Sequence, residues 1–302
     1  MSDLPEFLII GAPKCGTASM MRYLADHSQI HFLVGEEPHF YTYTAEGRPH
    51  WGVGDIDEYS ERFAEAGPEQ LRGEKSSWYL YSETAAEQIE KYAPETKCIA
   101  LLRQPVDRAY SHWSFRVQNG WETLSFRDAI EAEEERIANG AFWGTHYMCA
   151  GRYHEQLRRF YDHLGPDQVR VLWFEELVRD SDAVVHDALS FLGLAPEATV
   201  DTSTVHNETR FPQFQWLNKL RHSNWVRRAS RRLIPRFARP LVGNLYQWIN
   251  GGGRPALGPE YRSKLTQRVW SDVERLQRLL DVDLSHWAES TQSPLSAHGD
   301  QE

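Results

Sequence analysis

Gly11-Ala12-Pro13-Lys14-Cys15-Gly16-Thr17 sets two glycines five residues apart, with a lysine between them and a hydroxyl residue directly behind. The apolar run Phe7-Leu8-Ile9-Ile10 precedes it, and helically spaced apolar residues follow it through Leu24. A glycine turn between a strand and a helix aims backbone N–H groups and the positive end of a helix dipole at one point, where an anion is held. Nucleoside-triphosphate loops place lysine directly after the second glycine. Here Gly16 is followed by Thr17 and the lysine stands at Lys14, which argues against ATP or GTP. A P-loop kinase using ATP and Mg²⁺ is therefore the weaker enzymatic reading.

A second strand-to-helix junction runs from Leu101 to Ser111 through Arg103-Gln104-Pro105. Arg103 leaves the end of the strand and offers a bidentate fork to a phosphate, and Ser111, two turns into the helix, adds a hydroxyl. Paired with the first loop, this junction points to one ligand carrying two separate phosphate groups.

The elements that position these residues are legible as alternating strands and helices. Strands are expected at Phe7–Ile10, Lys97–Leu102 and Gln168–Phe174. Helices are expected at Gly16–Leu24, Val106–Val117, Tyr153–Leu164, Asp182–Leu192 and Glu260–Leu280. Strands separated by long helices require crossover connections, so the fold class is α/β, a single domain with a P-loop-containing parallel β-sheet flanked by helices on both faces. The domain is expected over residues 1–290, with 291–302 a disordered tail. Thr42–Arg72, Gly-rich and weakly periodic, reads as an insertion lying over the sheet.

The 302 residues are 41% hydrophobic and 25% charged, too apolar for a disordered chain, and no run is long enough to span a membrane. Three widely spaced cysteines form no C-x-x-C pair and no metal cluster, which points to a reducing cytoplasm. A net charge of -10 argues against a nucleic-acid partner. The charge is uneven, because Thr209–Pro259 holds ten Lys or Arg and no acid. That basic segment, with aromatics interleaved from Trp216 to Trp248, is read as helical and suits an acidic glycan or an anionic lipid.

Four stretches occur in order: the loop at Pro13–Thr17, Glu36-Glu37-Pro38-His39-Phe40-Tyr41, Glu74-Lys75-Ser76-Ser77-Trp78-Tyr79, and Leu102–Ser111. Together with Gly151-Arg152-Tyr153 and Val171–Leu177, they resemble the sulfotransferases that use 3'-phosphoadenosine 5'-phosphosulfate (PAPS) and release adenosine 3',5'-bisphosphate (PAP). The likeness is closer to the heparan sulfate branch than to the steroid and phenol enzymes.

The resemblance implies that Lys14, Cys15, Gly16, Thr17 and the Ala18 amide hold the 5'-phosphosulfate, and that Arg103 and Ser111 hold the 3'-phosphate. It implies that Lys14 also steadies the leaving oxygen, that Glu37 is the general base, and that Lys75 stands beside it or the transferring group. Arg210, in the run Val205–Pro212, is expected to add to 3'-phosphate binding. Glu36 and His39 compete with Glu37 for the basic role, and His112 lies near the same motifs. Ala18 stands where many relatives carry a second hydroxyl. The acceptor is expected to be a hydroxyl on a glycan, a lipid or a secondary metabolite, with no metal required. A glycan- or lipid-binding protein on a disabled scaffold is the non-catalytic alternative, and the intact Lys14, Glu37, Lys75, Arg103 and Ser111 weigh against it.

Overall fold

A computed structural model describes residues 4–42, 52–195, 211–212, 251–252 and 257–288. Its centre is a sheet of five parallel strands: β1 (Phe7–Gly11), β2 (Ile30–Phe32), β3 (Leu71–Lys75), β4 (Lys97–Leu102) and β5 (Val169–Trp173). They lie in the order β2-β3-β1-β4-β5. β1 is buried at every position, and β4 at all but its first, because helices cover both faces of the middle of the sheet. Their unbroken apolar runs follow from that burial.

The helices of the crossovers are α1 (Thr17–Ala25), α2 (Ile56–Glu61), α3 (Ala85–Tyr92), α4 (Pro105–Gln118), α5 (Phe126–Glu131), α6 (Glu133–Ala138) and α7 (Tyr153–Leu164). After β5 come α8 (Phe174–Arg179), α9 (Ser181–Leu192) and α10 (Pro259–Leu280), the last packing on α4 and α7. Local signals fix several boundaries. Pro105 occupies the first turn of α4, where its missing N–H is harmless, and the Gln104 side chain caps the Asp107 N–H at 2.8 Å. Asp180 caps α9 through the Ala183 N–H at 3.0 Å.

Two expectations are corrected. Thr42–Arg72 is not wholly an insertion, since it contains α2 and its last two residues begin the interior strand β3. β3 was unreadable as a strand because its sequence, LRGEK, carries three charges. Gly73 is what lets it pair beside β1, for a Cβ there would meet the Phe7 ring at 2.2 Å. The strand expected through Phe174 also stops at Trp173, where α8 begins. Expectations for the basic segment lie outside the described residues, apart from the backbone of 211–212 pairing antiparallel with 251–252. The expected tail at 291–302 lies outside them as well.

Ligands of such sheets bind beyond the carboxyl ends of the strands, where the order reverses. Here the three adjacent strands β3, β1 and β4 end in Lys75, the Gly11 loop and Arg103.

Candidate active site

The loop after β1 turns sharply into α1. Gly16 takes the left-handed conformation at φ 86°, and a Cβ there would meet Leu177 at 2.8 Å and Phe174 at 3.1 Å, so only glycine fits. The first turn of α1 holds no acid, and Gly16 brings no side-chain cap, leaving this helix start suited to an anion. Lys14 is also left-handed, at φ 71°, a conformation uncommon for non-glycine residues. Its ammonium sits 4.3 Å from the centre of the Phe115 ring. Cys15 turns the other way, into the core against Tyr153, and burial pushes its thiol up to about 11. Its N–H donates to the Ala12 carbonyl at 3.2 Å.

Arg103, at the end of β4, reaches this loop. Its guanidinium stacks 4.2 Å from the centre of the Phe174 ring and donates to the Lys14 carbonyl at 3.5 Å. The Tyr153 hydroxyl donates to the Arg103 carbonyl at 2.9 Å and fixes the strand end. Ser111 is buried on α4, on the same junction. Arg108, one turn before it, is a fully buried cation that donates to the carbonyls of Pro13, at 3.4 Å, and Tyr147. It braces the loop from behind and was not singled out from sequence. Arg210 lies outside the described residues.

The two candidate glutamates are separated by their surroundings. Glu36 is exposed and paired with Arg62 just beyond α2, on the surface. Glu37 faces inward and is held on both oxygens. Lys75 Nζ donates to Oε1, the Ser77 N–H to Oε2 at 3.1 Å, and the Ser77 hydroxyl to Oε1 at 3.2 Å. His39 Nε2 lies 3.3 Å from Oε2. Burial alone would raise the Glu37 pKa, but the His39 contact and the Lys75 charge overcome it and hold the carboxyl at about 2. His39 thus pairs with the carboxylate it was expected to compete with. His112 is buried, and desolvation together with Arg108 pushes it well below the usual imidazole range, so it stays neutral.

The sequence profile of the sulfotransferase domain matches residues 4–236. The chain belongs to the sulfotransferase family. A crystal structure of a sulfotransferase from Alicyclobacillus acidocaldarius superimposes with a TM-score of 0.73 at 31% identity, covering 94% of this chain and 98% of that one. Heparan sulfate glucosamine 3-O-sulfotransferase 3A1 of Mus musculus is 27% identical over 249 residues, 80% of this chain and 59% of its own length. The human bifunctional heparan sulfate N-deacetylase/N-sulfotransferase 3 is 28% identical over 200 residues, 64% of this chain and 23% of its own length. The chain thus spans about three-fifths or less of these curated relatives.

Beneath the site, this sulfotransferase carries a buried carboxylate that sequence reasoning passed over. Glu74 accepts from the Tyr59 hydroxyl at 3.1 Å and from Ser76 Oγ at 2.9 Å, and Ser76 Oγ in turn accepts from the His39 N–H at 2.9 Å. His39 has φ 50°, so the loop carrying Glu37 is pinned in a left-handed turn by the end of β3. Burial dominates the Glu74 environment and pushes its pKa up to about 7. The folded state therefore binds a proton more tightly than the unfolded chain, and stability from this group is full below pH 4.5 and lost as pH rises through about 7. Glu74→Gln, a neutral isostere, is expected to flatten the fall in stability between pH 4.5 and 7, read by urea unfolding across that window. An unchanged slope would show that Glu74 ionises as freely as an exposed acid.

Several tryptophans flank the site. Trp78 lies 5.5 Å from the His112 ring and 6.3 Å from Trp143, between ring centres. Trp121 is more than half exposed, at 58%. Trp113 instead belongs to a second core with Tyr110 and Phe126. Among the described residues no helix is long and apolar enough to cross a membrane, and no group of three His, Cys, Asp or Glu is placed to hold a metal. The three cysteines are unpaired.

Proposed function

We propose that the protein transfers a sulfuryl group from PAPS to an alcohol, with Glu37 as general base. The observation that carries the reading is the joining of two strand ends: Thr17 at the start of α1, Lys75 at the end of β3 with Ser77 just beyond it, and Glu37 form one hydrogen-bonded group. Arg103, at the end of β4, touches the same loop.

The residues present fit the donor. Gly16, Thr17 and Ala18 open a helix start with no acid in its first turn, and Lys14 supplies a cation there. Arg103 offers its fork and Ser111 its hydroxyl to a second phosphate. When bound, PAPS supplies the sulfuryl group on a phosphate leaving group. Transfer of a group already rich in oxygen charge needs alignment and cationic neutralisation more than covalent chemistry, and Lys14 and Lys75 provide both.

Glu37 is a weak base at rest, yet the alcohol proton becomes strongly acidic as its oxygen bonds to sulfur. A carboxylate aimed at that proton suffices, and Lys75 Nζ, once drawn from Glu37 toward an anionic group, leaves it more basic. The relative named as a heparan sulfate glucosamine 3-O-sulfotransferase makes a glycan hydroxyl the first acceptor to try.

Calorimetric titration with PAP, beside ATP with Mg²⁺ at matched concentration, tests the donor. PAP is expected to bind in EDTA, with ATP binding far more weakly. The reverse preference would make the protein kinase-like and remove the roles of Glu37 and Arg103.

A further inference from the structure

Ser77 stands between the anion loop and the base. Its Oγ lies 3.2 Å from Glu37 Oε1 and 3.3 Å from Thr17 Oγ1, and both serine and threonine are nearly inaccessible to solvent. A serine hydroxyl has one proton to donate. Either hydroxyl can donate across the Thr17 contact: while Thr17 donates, the chain runs from Thr17 through Ser77 to Glu37, and once Thr17 donates elsewhere Ser77 faces two acceptors at nearly equal distance. Ser77 also fixes Glu37 through its own N–H at 3.1 Å on the other oxygen, so the carboxylate is held in place whichever way the hydroxyl turns.

We propose that Ser77 is a positioning residue that reports occupation of the β1 loop to Glu37. This rests on the reading of Thr17 as a phosphate ligand. A phosphate that accepts the Thr17 proton makes Thr17 Oγ1 the stronger acceptor, because hydrogen bonds in a chain polarise one another. Ser77 then turns its proton to Thr17 and withdraws it from Glu37 Oε1. No proton leaves Ser77; only its hydrogen bond moves. The freed lone pair on Oε1 is the one an acceptor alcohol needs, so the base is unmasked only when the nucleotide is in place. An alcohol arriving first meets a carboxylate already occupied.

The test is the infrared difference spectrum of the full chain with and without saturating PAP, which fills the phosphate loop without bringing a sulfuryl group to Lys75. The Glu37 carboxylate band is the one missing in Glu37→Gln. Loss of a hydrogen bond is expected to shift its antisymmetric stretch in the wild type when PAP binds. Ser77→Ala keeps the N–H contact and removes the hydroxyl, so PAP is expected to bind within about tenfold of wild type, the range of one neutral hydrogen bond, with the band shift lost. Thr17→Val, of nearly the same shape, is expected to lose the shift too, at PAP concentrations raised to saturation. A full shift in Ser77→Ala, or none in a PAP-saturated wild type, overturns the coupling while leaving the transfer reading intact. Failure of the wild type to bind PAP overturns both.

Discussion

Glu37→Gln is expected to lower turnover by roughly 10²–10⁴-fold, the usual contribution of a positioned base, while PAP affinity stays within about twofold. The amide keeps the shape of the side chain, with one carbonyl oxygen to accept from either Lys75 or the Ser77 N–H in place of the two oxygens that take both. What it loses is the capacity to take a proton. Rapid-quench measurement of the transfer step, beside calorimetry with PAP, separates the two quantities. Normal turnover in Glu37→Gln would remove the assignment, and because Glu36 is exposed and committed to Arg62, the search would move to His39.

The second large effect falls on affinity. Lys14→Ala and Arg103→Ala are each expected to weaken PAP binding by roughly 10–100-fold, because each removes a charge-assisted contact of about 1.5–3 kcal/mol. Arg103→Lys is the informative control. It keeps the charge but loses the planar fork and the stacking on Phe174, so it is expected to recover only a small part of the loss. If both alanine variants bind PAP as the wild type does, the two phosphates lie elsewhere.

Those residues were visible in the sequence because their signals are local. A glycine pair between an apolar run and a helix, or an arginine before Pro105 at a strand end, is complete within a dozen residues. β1 and β4 were equally legible, since burial on both faces writes itself as a continuous apolar run. β2 and β3 were not. One has three residues, and the other is held in the middle of the sheet by Gly73 and by the polar contacts of Glu74 and Lys75.

The same limit hid the supports of the base. Ser77 meets Glu37 across 40 residues of chain, and Ser76 meets His39 across 37, so the stretch that holds both serines was marked while the partner of each was not. In the sequence the resemblance alone prefers Glu37 to its neighbour Glu36; the contacts that separate them, Arg62 on Glu36 and Lys75 with Ser77 on Glu37, come from distant parts of the chain.

The parallel sheet has a consequence for the life of the chain. Lys14, Lys75 and Arg103 come from strands that are neighbours in space yet far apart in sequence, and no hairpin can bring them together. A full-length but unfolded chain therefore carries every residue of the site without the arrangement that binds. Nucleotide capture becomes a report on completed assembly, and a cell rich in the nucleotide would selectively protect finished molecules from proteases.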